Sequence, residues 1–84
     1  MVFLIEYDRQ KGQLITFQAF EDSERKRAQD TLLELELNLH ARGIEREVVL
    51  LEAASEAAIR VTHARYFEDL EQLTSNLRAH LLLT

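Results

Sequence analysis

The stretch from Val48 to Leu83, VVLLEAASEAAIRVTHARYFEDLEQLTSNLRAHLLL, decides how this chain folds. It opens with four apolar residues, Val48 to Leu51, without polar alternation, the pattern of a strand covered on both faces. Ser55 is a good helix N-cap, and Glu56 behind it suits the positive end of a helix dipole. From there Ile59, His63, Tyr66, Leu70, Leu73, Leu77 and Leu81 recur at spacings of four and three, which predicts one apolar stripe on a helix running to about Leu82.

Working back from this stretch, Glu45 to Ala53 is the third strand of the chain. Val2 to Asp8 mixes apolar, β-branched and aromatic residues, and the polar Arg9, Gln10 and Lys11 lead to Gly12, a loop of hairpin length with a glycine for positive φ. Gln13 to Phe20 alternates, with Ile15, Phe17 and Ala19 on one face and Leu14, Thr16 and Gln18 on the other. Glu21, Asp22, Ser23 and Glu24 supply capping and acidic residues for a helix that runs to about Ala41 or Arg42 and stops at Gly43. Its core stripe is Ala28, Leu32, Leu35 and Leu39. Leu33, Leu35, Leu37 and Leu39 also alternate with polar residues, as a strand would, but Leu and Glu are strong helix formers and no breaker intervenes, so helix is preferred. Leu33 and Leu37 then point away from the core stripe with nothing to cover them.

The order strand, strand, helix, strand, helix predicts an α+β domain (ββαβα). Its three-stranded sheet should be mainly antiparallel with the first strand central and both helices packed on one face. Residues 1–84 make a single domain, small enough that further burial elsewhere would help its stability. An unbroken helix from Glu56 to Leu82 is roughly 40 Å long, whereas a six-residue strand spans about 20 Å. Residues from about 70 to 84 therefore overhang their own sheet as a helical extension, and its leucines need a partner surface. The simplest partner is a second copy in a two-fold dimer; the alternative is a helix that breaks near Glu68 and folds back. The expected interface is Leu33, Leu37, Leu70, Leu73, Leu77 and Leu81.

Composition removes several function classes. There is no cysteine, hence no disulfide, thiolate nucleophile or zinc ribbon, and a reducing cytoplasm is the expected setting. The apolar run near Met1 is only four residues long before Glu6, with no basic residue ahead of it, so no signal peptide or membrane span is expected. Fifteen acidic residues against ten basic ones give a net charge of −5, which disfavours nucleic acid as a partner. Proline is absent, and the two glycines lie too far apart for a phosphate-cradling loop or a nucleophile elbow around Ser23, Ser55 or Ser75.

Weak candidates for chemistry remain. His63 lies within the apolar stripe, where Glu52 or Tyr66 nearby would make it a general base, although a half-buried structural histidine is the commoner arrangement. A pocket around His63, Tyr66 and Arg60 at a protomer interface is the enzyme or ligand-binding alternative. His40 and His80 have no companion at metal-ligand spacing, so neither a metal nor a cofactor is expected. Arg25, Lys26 and Arg27 form a basic cluster, but Glu21 and Asp22 stand four residues ahead of Arg25 and Lys26 and compensate it. Arg42, Arg46, Arg60 and Arg65 interleave with Glu45, Glu47 and Glu56 as an ion-pair network, with an anion site near Ser55 as the alternative. Glu6 and Glu52, on the two most apolar strands, are the candidate paired carboxylates. The leading expectation is a small homodimeric interaction or regulatory module with no catalytic activity of its own.

Overall fold

The computed structural model describes residues 1–68. β1 (Val2–Asp8) and β2 (Gln13–Phe20) form the expected hairpin; α1 (Arg25–Ala41) follows a 3₁₀ turn at Asp22–Glu24; β3 (Glu47–Glu52) leads to α2 (Glu56–Thr62) and a 3₁₀ turn at Ala64–Tyr66. The strands lie in the order β2-β1-β3, every pair antiparallel, with β1 central as its apolar run requires. Asp8 Oδ1 closes the hairpin loop by accepting from the backbone N–H groups of Gln10 and Lys11, each at 3.0 Å. Gly12 takes φ +64° where the chain turns back.

Register departs from simple alternation at one point. Glu6 faces Thr16, but Tyr7 faces Leu14, so Ile15 is the extra residue of a β-bulge. The bulge changes the face of everything before it: Leu14 joins Phe17 and Tyr7 on one face, and Ile15 is left exposed, contrary to the alternation expected from the sequence.

The helices lie on opposite faces of the sheet, not on one. Val2, Leu4 and Phe20 pack with Ala28, Leu32 and Leu35 of α1, together with Val48 and Leu50 of β3. Phe3 and Ile5 pack with Ile59 of α2 and Tyr66, joined by Tyr7, Leu14, Phe17, Val49 and Leu51. The reason is in β1 and β3 themselves, which are apolar on both faces. One helix covers only one face, and without a second on the other side Phe3 and Ile5 would stand in water. The stripe on α1 is the expected one, and Gly43 ends it at φ +65°.

The second helix is much shorter than expected. Ser55 caps it, its hydroxyl accepting from Ala58 N–H at 3.1 Å, but the helix ends at Thr62, and His63 adopts φ −127°, ψ 47°. Continued straight, it would carry Tyr66 about 10 Å past Ile59 and off the sheet. The turn at His63 instead brings Tyr66 down onto Tyr7, edge to face at 5.3 Å, and Phe67 onto Phe17 at 5.2 Å. Burial of two aromatic rings outweighs a helical tendency already weakened by the β-branched Val61 and Thr62. The expected continuation through Leu70, Leu73, Leu77 and Leu81, with Ser75 and His80, lies outside the described residues.

Candidate functional site

The turn that ends α2 builds a charged hub at the start of β3. Glu47 stands opposite Tyr7 in the sheet register, on the face that α2 covers. Arg65 approaches it with both terminal nitrogens, Nη2 to Oε1 at 2.7 Å and Nη1 to Oε2 at 3.2 Å, the two-pronged arrangement that guanidinium and carboxylate favour. The Tyr66 hydroxyl donates to Oε1 at 3.1 Å, and Arg9 from the hairpin loop adds a weaker bond at 3.4 Å. The Arg65 guanidinium also lies over the Tyr66 ring, 4.1 Å from its centre. The Arg65 hydrogen bonds pull the Glu47 carboxyl down to about 2. Burial, reinforced by the bond to Glu47, raises the Tyr66 phenol. One group is held as an anion and the other as a neutral donor, so the hub clamps the hairpin loop, β3 and the last turn together and is poorly suited to proton transfer.

A second cluster occupies the other face. Arg46 lies 3.4 Å from Glu6 and 3.9 Å from Asp8, while Thr16 donates to Glu6 at 2.7 Å. Arg46 Nε is buried and makes no hydrogen bond of good geometry. The bond from the Lys11 backbone lowers the Asp8 carboxyl, with Arg46 adding to it. Between the two clusters, an open groove of about 1020 Å³ is bounded by Asp8, Arg9, Glu36, His40, Arg46 and Glu47. With Glu45 it carries four carboxylates against two arginines, and both arginines are already paired with carboxylates, so it offers no site for an anion.

The sequence candidates are only partly brought together. His63 stacks on Tyr66 with ring centres 6.4 Å apart, and its Nδ1 lies 2.9 Å from the Thr62 hydroxyl. Arg60 pairs with Glu56 and covers Phe67, at 4.6 Å from the ring centre. Glu52 lies on the opposite face from Tyr66, paired with Arg25. Glu6 and Glu52 do share a face, but at opposite ends of the β1–β3 ladder, each with its own arginine, so they do not form a carboxylate pair. In the basic cluster, Arg25 takes Glu52 and Arg27 takes Glu24; the expected partner Asp22 turns to the Met1 ammonium and Glu21 closes a capping box with Glu24. Among the described residues no three His, Cys, Asp or Glu side chains converge as a metal site, and no helix is long and apolar enough to cross a membrane.

Sequence reasoning set Glu47 and Arg65 in one ion-pair network but missed that they face each other and that Arg9 and Tyr66 join them, because these residues meet only through the hairpin loop, the strand register and the turn at His63. The uncovered leucines, by contrast, are where the sequence placed them: Leu33 is 54% exposed and Leu37 61%. Fold and site thus define a small α+β domain, an antiparallel three-stranded sheet between two helices, with a locked ion-pair hub and bare leucines on its longer helix. This chain matches no family model, no curated protein and no solved structure.

Proposed function

We propose that this protein is a self-associating interaction module without catalytic activity of its own, acting in the cytoplasm. The observation that carries the reading is the pair Leu33 and Leu37, one turn apart and exposed on a helix whose core stripe is already committed to the sheet. Exposed leucine at this spacing is the surface that a second helix covers. Leu70, Leu73, Leu77 and Leu81 extend the proposed interface along the chain beyond the described residues. The ligand-pocket alternative at His63, Tyr66 and Arg60 is less well supported, since Arg60 and the Tyr66 hydroxyl already have partners within the chain. Nucleic acid has less support still, because Arg25 and Arg27 are paired with acids.

Light scattering coupled to size exclusion tests the reading. The expected mass is twice that of the 9.8 kDa chain, falling to the single mass in Leu37→Glu. A wild-type protein of single mass at hundreds of micromolar would refute it.

A further inference from the structure

We infer that two copies join along β3, so that the sheet runs through the two-fold axis as six strands, β2-β1-β3-β3-β1-β2, with the two α1 helices side by side on one face. The inference rests on the self-association reading and says which surface performs it.

β3 pairs with β1 on one side only, and among the described residues no backbone group outside that ladder bonds to its other edge. An unpaired strand edge is a template for another chain, and proteins ordinarily blunt it with proline, lysine, a bulge or a covering element. The two edges of this sheet differ in that respect. β2 carries the bulge at Ile15 and the polar Gln13, Thr16 and Gln18. β3 reads Glu-Val-Val-Leu-Leu-Glu, in unbroken register with β1, and its four apolar residues are only partly buried although helices cover both faces. Two of them, Val48 and Val49, border the open groove.

The helix layer fits the same operation. α1 rests on β1 through Val2 and Leu4 and on β3 through Val48 and Leu50, so its axis lies over the gap between those strands. With strands about 4.8 Å apart, pairing β3 to its copy sets the two α1 axes about twice that distance apart, within the 8–10 Å at which helices pack. The flank of α1 above the β3 edge is marked by Glu36 and His40, which border the groove with Glu47 and Val48. At about 100° per residue, Leu33 stands about 20° from His40 around the helix and Leu37 about 40° further on. Leu33 therefore borders the seam between the two α1 helices, whereas Leu37, nearly opposite the core stripe, stands at its outer rim.

Symmetry and charge select the register. Residues opposed across antiparallel strands share a face, so a two-fold axis perpendicular to the sheet pairs even positions with even and odd with odd. Centred on Leu50, the pairing sets Glu52 against the partner's Val48. Centred on Val49, it sets Val48 against the partner's Leu50, and Arg46, just ahead of β3, beside the partner's Glu52. The first register opposes a carboxylate to a valine and the second opposes apolar residues to each other, so the second is favoured, with Val49 facing its own copy on the axis.

The chain has no cysteine, so single substitutions report this geometry cleanly. Opposed Cα atoms about 4.5–5.5 Å apart admit a disulfide. Under mild oxidation Val49→Cys is expected to become a covalent dimer reversed by reductant, Leu50→Cys to react less, and Ile15→Cys on the opposite edge to remain single. Amide exchange on the wild type decides the matter should Val49→Cys fail to fold: in the dimer all four amides from Val48 to Leu51 are slow, whereas a free edge leaves alternate ones fast. A dimer with alternate amides fast and no Val49→Cys product overturns the shared sheet but leaves self-association standing. A single-mass protein overturns both, and one with all four amides slow would assign the edge to residues 69–84 of the same chain.

Discussion

Glu47 accepts from three side chains drawn from two parts of the chain, Arg9 of the hairpin loop and Arg65 and Tyr66 of the last turn, and its own side chain is nearly enclosed while Arg9 and Arg65 remain largely in solvent. Enclosure makes removal of its charge felt, and the exposure of its partners limits the loss. Glu47→Gln should cost about 1–2 kcal/mol in urea unfolding at pH 7. The dependence on pH has a definite sign. The folded state lowers the carboxyl from its ordinary 4.5 to about 2, so the stabilisation is complete above about pH 4.5 and is lost as pH falls toward 2. The gap between wild type and Glu47→Gln should therefore close across that interval, and a gap that held steady to pH 2 would mean that the charge is not what the hub uses. Ile15 teaches the opposite lesson about reading single residues. Alternation places it in the core with Phe17, but the bulge turns it outward. Ile15→Thr should stay within about 0.5 kcal/mol of wild type. Phe17→Ala should cost about 2–3 kcal/mol, because Phe17 stacks on Phe3 and meets the edge of Phe67. A bulge has no signature in side-chain pattern, because it is chosen by the pairing partner.

At the scale of elements, the strands and α1 were legible because each rests on local chemistry: Gly12 and Gly43 at positive φ, Ser55 as a cap, and a leucine stripe at helical spacing that prevailed over its own period-two echo. The central position of β1 was legible too, since only a strand covered on both faces tolerates the run Val2 to Ile5. Two features were not. That the helices divide between the faces is implied by the same two-sided strands, but which face each one takes depends on how the three residues between β3 and α2 route the chain, and residue type does not record that. The end of α2 at Thr62 depends on Tyr66 and Phe67 finding Tyr7 and Phe17, partners about fifty to sixty positions away in sequence. A seven-residue helix is marginal without packing, so its cap should matter more than in a longer one. Ser55→Ala should lower stability by about 1 kcal/mol, seen as a fall in Tm of roughly 4–8 °C. No change in Tm would show that burial of Ile59, and not the cap, fixes where α2 begins.

At the scale of the molecule, the balance among the described residues is between a small core and a surface that stays partly apolar. The core around β1 is well packed, yet β3 and the outer residues of α1's stripe, Leu32 and Leu35, stay partly exposed, and Leu33 and Leu37 more so. A chain of this size has little stability to spare, so covering that surface should stabilise the fold as well as join two copies. Association then enters the folding equilibrium, and Tm must depend on concentration. A hundredfold increase in protein raises the stability of a dimer by about 2.7 kcal/mol, which for two chains of this length corresponds to roughly 5–10 °C in Tm. Leu37→Glu should abolish that dependence. Because Leu37 is mostly in solvent within one copy, the variant should also melt within a few degrees of the wild type at the lowest concentration. Scanning calorimetry across that range separates the two origins of stability: a Tm that ignores concentration would show that one copy completes the fold unaided and that the leucines serve no partner of its own kind.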